Sequence, residues 1–258
     1  MAEELSCRMG MIEQIIRYTY WSSRCQGIVV GMSGGVDSSV AASFCCRALG
    51  PERVLGLSLP SLVNNPQDVQ DAALLCAKLG MEHRTINIEP ILQSFRKLPE
   101  FTETPYLLGN MMARIRMVIL YYHANRENRL VCGTSNRSEY MLGYCTKFGD
   151  NAADIQPIVH LYKTEIYEVA EELGIPESIL RKAPSAGLWD GQSDEGEIGL
   201  SYSEIDASLK KLEENNWNPS NSSEKRILDL VHKSGHKRLR APNLLTELKE
   251  PGQTVREN

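Results

Sequence analysis

The sequence predicts an α/β fold: a single Rossmann-like open parallel sheet of about five strands with helices on both faces. Three observations predict it. Short aliphatic runs recur between stretches of helical periodicity, the pattern of successive right-handed βαβ units. The first run leads into a glycine-rich turn and then a helical stretch, an arrangement that cradles anions. The chain has 258 residues, 42% of them hydrophobic, enough to bury a sheet on both sides within one domain, 1–258.

Met9, Ile12, Ile15, Ile16 and Tyr20 fall at helical spacing, so residues 6–23 open the chain as an amphipathic helix. Residues 27–31, GIVVG, are apolar without alternation, as a strand buried on both faces should be. The heptad SGGVDSS follows at 33–39. Gly34 and Gly35 allow positive φ and close backbone approach. The helix beginning at Val36 offers unpaired N–H groups and the positive end of its dipole. Ser33, Ser38 and Ser39 add hydroxyl donors. This is not a Walker A loop, because it lacks the Lys-Ser or Lys-Thr pair and carries Asp37 inside the turn. Asp37 could also serve simply as a first-turn acid of its helix.

Residues 53–59 form the second strand candidate, ending in Leu59-Pro60-Ser61. Pro66 opens a helix at its first turn, where a missing N–H costs nothing, and Gly80 stops it. Residues 82–88 give a third strand and residues 129–132 a fourth. Between them, residues 106–126 hold the longest helical pattern. Leu108, Met111, Met112, Ile115, Val118, Ile119 and Tyr122 make one broad apolar face there, with Arg114 and Arg116 off it. A helix spans 164–173, and Gly174 and Pro176 end it. Residues 181–201 contain four glycines and several acids, so 182–200 reads as a mobile lid. Helices follow at 203–214 and 222–233. The tail after about 242 reads as poorly ordered.

Composition removes several function classes. A net charge of −5 argues against a nucleic-acid binder. Seven cysteines include no C-x-x-C pair, so neither a zinc site nor a redox pair is signalled, and a cytoplasmic setting fits. The acidic N-terminus lacks the apolar core of a signal peptide, and no run of about 18 apolar residues offers a membrane span. His83, His123 and His160 show no metal spacing and read as structural.

From Gly133 the chain reads GTSNRSEYMLGYCTKFGDNAADIQPIVHLYKTE, and from Pro184 PSAGLWDGQSDEGEIGLSY. Together with SGGVDSS, these stretches resemble the NAD synthetase family in sequence and in order, over about residues 10–240. The heptad is similar to the pyrophosphatase loop of the wider N-type ATP pyrophosphatases, of adenine nucleotide alpha-hydrolase type. The resemblance implies ATP-dependent amidation of nicotinic acid adenine dinucleotide (deamido-NAD) by ammonia. An acyl-adenylate forms on the way to NAD, AMP and pyrophosphate. Asp37 and Glu139 would hold Mg²⁺ and act with Lys163 as the catalytic set. ATP would meet Gly31, Met32, Ser33, Gly34, Gly35, Val36, Asp37, Ser38, Thr134, Lys163 and Ser185. Deamido-NAD would meet Arg114, Lys147, Asp154, His236 and Lys237. Ser185 stands where the family often has Thr, and Met112 where many members have Gln.

The resemblance further implies a homodimer, and the 106–126 helix has apolar surface to spare for its interface. Glutamine-using members carry an extra amidase domain, for which there is no room before residue 27, so direct use of ammonia is expected. Three other readings compete. A tRNA-modifying adenylating enzyme should be basic and often uses paired cysteines. A GMP synthetase should carry its own dimerisation domain. A non-catalytic nucleotide module would need neither the Asp37 and Glu139 pair nor a glycine-rich lid. No general base is assigned; Asp154 is a candidate by charge alone.

Overall fold

The computed structural model describes residues 2–241 except 186, 190 and 240. Along the chain lie α1 (Ala2–Ser23), β1 (Gly27–Gly31), α2 (Val36–Leu49), β2 (Val54–Ser58), α3 (Pro66–Leu79), β3 (Glu82–Thr85), α4 (Glu89–Phe95) and α5 (Pro105–Arg126). They are followed by β4 (Arg129–Cys132), α6 (Arg137–Leu142), α7 (Lys163–Glu172), α8 (Glu177–Leu180), α9 (Asp194–Ile198), α10 (Tyr202–Glu214), α11 (Ser222–Lys233) and α12 (Gly235–Arg238).

The strands pair in parallel in the order β3-β2-β1-β4. Strand β1 sends Ile28 and Val30 into a core shared with α1, α2 and α7, while Val29 joins Leu55, Val131 and α5 on the other face. Both faces are therefore covered, as the unalternating GIVVG run requires. A third apolar cluster joins α6, α10 and α11 through residues such as Met141, Leu209 and Val231.

The described residues hold four strands, not about five. Residues beyond 152 do approach the open edge of β4, where Gly133 N donates to Ile155 O at 2.8 Å and Asp154 N to Val131 O at 2.9 Å. Only one parallel bridge results, Cys132 to Ile155. The Asp154 carboxylate itself takes the Val131 N–H at 2.8 Å, and a side chain in that role competes with a ladder. Pro157, which has no N–H to give, follows two residues after the bridge.

Local signals explain most boundaries. Asn65 caps α3 by accepting from Gln67 N, Pro66 lies in its first turn, and Gly80 closes it in the left-handed region at φ 73°. The third strand stops at Thr85, short of the expected 88. Asn87 Oδ1 accepts from Glu89 N at 2.8 Å, and the chain turns into α4.

Helix α5 turns Met112, Ile115 and Ile119 inward with His123. Val118 and Tyr122, expected on the same broad apolar face, are instead 59% and 61% exposed. The 3.6-residue period carries 112, 115, 119 and 123 around one narrow stripe that excludes 118 and 122. The 182–200 segment contains a capped helix, α9, whose Ser193 accepts from Gly196 N. The tail expected after about 242 lies outside the described residues. Among the described residues no helix is long and apolar enough to cross a membrane. All seven cysteines are free, and Cys45, Cys46, Cys76 and Cys132 are buried.

Candidate active site

Chain order and sheet order together create a crevice. From β1 the chain moves outward through β2 to β3, then returns to place β4 on the opposite side of β1. The connections leaving β1 and β4 therefore diverge, and ligands bind at the carboxyl ends of such a strand pair. A cavity of about 410 Å³ lies there.

Ten of the residues assigned from sequence line it: Gly31, Met32, Ser33, Asp37, Ser38, Thr134, Glu139, Lys163, Ser185 and Lys237. Gly34, Gly35 and Val36 shape the same loop without lining the cavity. Gly34 takes φ +81°, and a Cβ there would lie 2.2 Å from Asp68 O, so this position is closed to any larger residue. Gly35 is the N-cap of α2, and Val36 is buried. Ser38 and Ser39 hydroxyls both donate to Gly35 O, at 3.1 and 2.7 Å, which draws the loop onto the helix start.

At the centre, the ammonium of Lys163 sits between two carboxylates. Its Nζ lies 2.5 Å from Asp37 Oδ2 and 3.4 Å from Glu139 Oε1. Asn136, fully buried, organises both acids. Its Nδ2 donates to Asp37 Oδ1 at 2.9 Å, and its Oδ1 accepts from Glu139 N at 3.0 Å as the N-cap of α6. Lys163 is fixed from its backbone. Its N–H donates to Ser138 Oγ at 2.9 Å, that hydroxyl donates to Asp206 Oδ1 at 2.5 Å, and Thr164 N donates to Asp206 Oδ2 at 2.9 Å. Asp206 thus binds the starts of α6 and α7 together from α10.

Burial pushes the Glu139 carboxyl up to about 8; Lys163 opposes the shift, while Asp37 and Asp194 add repulsion. Burial also disfavours the Lys163 ammonium, but Asp37 and Glu139 outweigh it and hold its pKa above the ordinary lysine value. The site therefore concentrates negative charge around one cation. Among the described residues no three His, Cys, Asp or Glu side chains gather as a metal cage. Two converging carboxylates suit Mg²⁺, which keeps waters and takes further oxygens from phosphates. The Lys163 ammonium, seated between both acids, stands where such a positive charge is favoured.

The remaining predicted residues lie at the rim or beyond it. Arg114 Nη2 donates to Lys147 O at 3.2 Å, and Lys147 Nζ to His236 O at 2.5 Å, so these three form one basic cluster outside the cavity lining. Lys237 bridges this cluster to the cavity, its Nζ bonding Gly143 O at 2.7 Å and Cys145 O at 2.6 Å. Asp154 stands apart at the edge of β4, with Tyr121 OH 3.3 Å from its Oδ1.

Sequence reading missed Asn64, Asn136 and Asp206, and left Arg116 without a role. Arg116 is in the cavity wall, donating to Leu59 O and Asn64 Oδ1, both at 2.9 Å, and burial pulls its guanidinium down to about 10. Asn64 Nδ2 then donates to Gly187 O at 3.0 Å, tying the 182–200 segment to this wall. Asn136 had a legible signal, since Asn-x-x-Glu opening a helix is a capping box. Arg116 and Asp206 had none, because their partners are far away in sequence, while Asn64 makes one local contact, accepting from Ser61 N at 2.9 Å, that points to a turn and not to the cavity.

Fold and crevice place the chain among doubly wound α/β proteins with a phosphate-loop geometry at the switch point. Residues 9–241 match the NAD synthase family model, and the chain belongs to that family. An NH3-dependent NAD+ synthetase of Methanoregula boonei is 69% identical over 246 residues, 95% of this chain and 99% of that protein. A solved NH3-dependent NAD synthetase of Campylobacter jejuni is 36% identical at a TM-score of 0.81, over 93% of this chain and 98% of that one. The structure of an NMN synthetase from Francisella tularensis is 39% identical at a TM-score of 0.85, with the same coverage of 93% and 98%.

Proposed function

We infer that this chain forms NAD from deamido-NAD, ATP and ammonia, releasing AMP and pyrophosphate through an acyl-adenylate. The observation that carries this beyond family membership is the placement of Lys163 between Asp37 and Glu139, beside the SGGVDSS loop. Transfer of an adenylyl group brings a carboxylate to a phosphate, so fixed donors and cations must lower the repulsion between them. The loop supplies backbone N–H groups and the Ser33 and Ser38 hydroxyls to the departing pyrophosphate. Lys163 supplies a buried cation that exchanges a carboxylate partner for a phosphate oxygen. Thr134 and Ser185 contribute hydroxyls from either side of the cavity. Mg²⁺, held by Asp37 and Glu139, would screen the polyphosphate and favour departure of pyrophosphate. Arg114, Lys147 and Lys237 give the dinucleotide its counter-charges, with His236 and Asp154 as further polar contacts. The 182–200 segment, pinned through Gly187, acts as the lid that excludes water from the adenylate.

Purified protein given ATP, Mg²⁺ and deamido-NAD should form NAD with NH4Cl and none with glutamine. NAD formation from glutamine alone would overturn the ammonia assignment. Replacing deamido-NAD by nicotinic acid mononucleotide, the smaller acid suggested by the Francisella neighbour, should give the lower kcat/KM.

We also propose a cytoplasmic homodimer that binds neither nucleic acid nor membrane. Val118 and Tyr122, one turn apart on α5 and both exposed, supply apolar surface for the subunit contact. Sedimentation should return a dimer for the wild type and a monomer for the Val118→Glu, Tyr122→Glu double variant. A monomeric wild type at micromolar concentration removes the proposal.

A further inference from the structure

Lys182 stands at the head of the 182–200 segment, behind the phosphate loop. Its Nζ lies 3.0 Å from Gly34 O, 2.6 Å from Asp68 Oδ1 and 2.6 Å from Asp71 Oδ2. Asp71 is buried and also accepts from Gln67 Nε2 at 3.1 Å and Ser178 Oγ at 3.3 Å, so this end of the contact is rigid. Gly34 is pressed against the first turn of α3 in the left-handed region. The ammonium thus fastens one specific carbonyl of the loop to α3.

The carbonyl and the N–H of one trans peptide point in opposite directions. A cation that holds the Gly34 carbonyl toward α3 therefore turns the Gly35 N–H the other way. That N–H reaches Ser33 Oγ at 3.2 Å, and Ser33 lines the cavity. With the peptide flipped, the loop would present a carbonyl oxygen, a partial negative charge, on the side meant for an anion. A positive-φ glycine is the residue least able to resist such a flip on its own.

We propose that Lys182 is a positioning residue: it locks the Gly34–Gly35 peptide so that an N–H, not a carbonyl, faces the anion. The inference rests on the reading that this loop holds the phosphates of ATP. Lys182 also neutralises Asp68, which itself lines the cavity. The two effects separate experimentally, because removing the Asp68 charge relieves repulsion but does not restore a bond to Gly34 O.

Lys182→Met should raise the KM for ATP about tenfold, the usual scale for losing a hydrogen bond to a charged group. The KM values for ammonia and deamido-NAD should stay within about twofold of wild type. Lys182→Arg should recover most of the loss, and adding Asp68→Asn to Lys182→Met should recover little. Thermal melting would confirm that each variant is folded. An unchanged KM for ATP in Lys182→Met, full recovery with Asp68→Asn, or an equal rise for all three substrates would each overturn the inference. Calorimetry with ATP keeps the two readings apart. A wild type that does not bind ATP defeats the functional reading, whereas equal binding by wild type and Lys182→Met defeats the positioning role alone.

Discussion

Lys163→Met is expected to lower turnover by about a thousandfold, the scale seen when a preorganised charge-stabilising donor is removed. It should also cost about 3 kcal/mol of stability, because breaking a buried ion pair leaves the remaining charge without compensation. Lys163 is only 3% exposed, while the Asp37 and Glu139 side chains retain 18% and 19% exposure. That partial access to water favours the lower end of the cost. Methionine fills much of the lysine stem's volume, so lost charge outweighs lost packing. Divalent cation supplies a separate check. The variant leaves the Asp37 and Glu139 carboxyl groups facing each other without the lysine's counter-charge, a place that a divalent cation can take, so Mg²⁺ should raise its melting temperature more than it raises that of the wild type, through binding to the native state. Single-turnover measurement of AMP release, with melting in Mg²⁺ and in EDTA, tests both parts. Near wild-type turnover would remove Lys163 from the catalytic set.

The contrast between Lys163 and Lys182 shows what the sequence made legible. The strand Gly27–Gly31, the loop after it and the ends of α3 were readable because their signals are local: an unbroken apolar run, adjacent glycines, an Asn-Pro start and a Gly stop. Local reading failed where the chain's own side chains changed the outcome. Asp154 spent its carboxylate on the Val131 N–H, and a full fifth strand did not form. Ser193 capped a short helix inside a stretch whose glycines suggested only a loop. The site divides in the same way. Asp37, Glu139 and Lys163 were named through family resemblance, and periodicity alone would have left them as solvated acids and a surface lysine. Asp206 lies 68 residues from Ser138, and Lys182 lies 148 from Gly34. No spacing rule reaches across such separations; only the switch-point topology brings these groups together. The same limit applies to α5, where periodicity alone placed Arg114 and Arg116 alike, off the apolar face. One helical step apart by two residues, they point to different surroundings, Arg116 into the cavity wall and Arg114 to the rim.

Asp37→Asn should leave the protein folded yet remove most Mg²⁺-dependent release of AMP and pyrophosphate, by about a hundredfold or more. Both Asp37 oxygens accept hydrogen bonds, Oδ1 from Asn136 Nδ2 at 2.9 Å and Oδ2 from Lys163 Nζ at 2.5 Å. Asparagine offers one acceptor and one donor in the same outline, so it can satisfy only one of these partners. Turning its oxygen to Lys163 sets two amide donors against each other at Asn136. Asn136 cannot flip in response, since its Oδ1 caps α6 through Glu139 N. The mismatch should cost about 1–2 kcal/mol, the penalty for one unsatisfied buried group, which the rest of the fold can absorb. Function has no such reserve. The substitution removes one of the two anionic ligands proposed for the metal and weakens the hold on the Lys163 ammonium at the same time. Pyrophosphate release measured across a Mg²⁺ titration should show a lower plateau and a midpoint moved to higher metal concentration, while the circular dichroism spectrum stays unchanged. A wild-type plateau reached at an unshifted midpoint would refute the metal role of Asp37. A lower plateau at an unshifted midpoint would keep Asp37 in the catalytic set but assign its effect to Lys163 rather than to the metal.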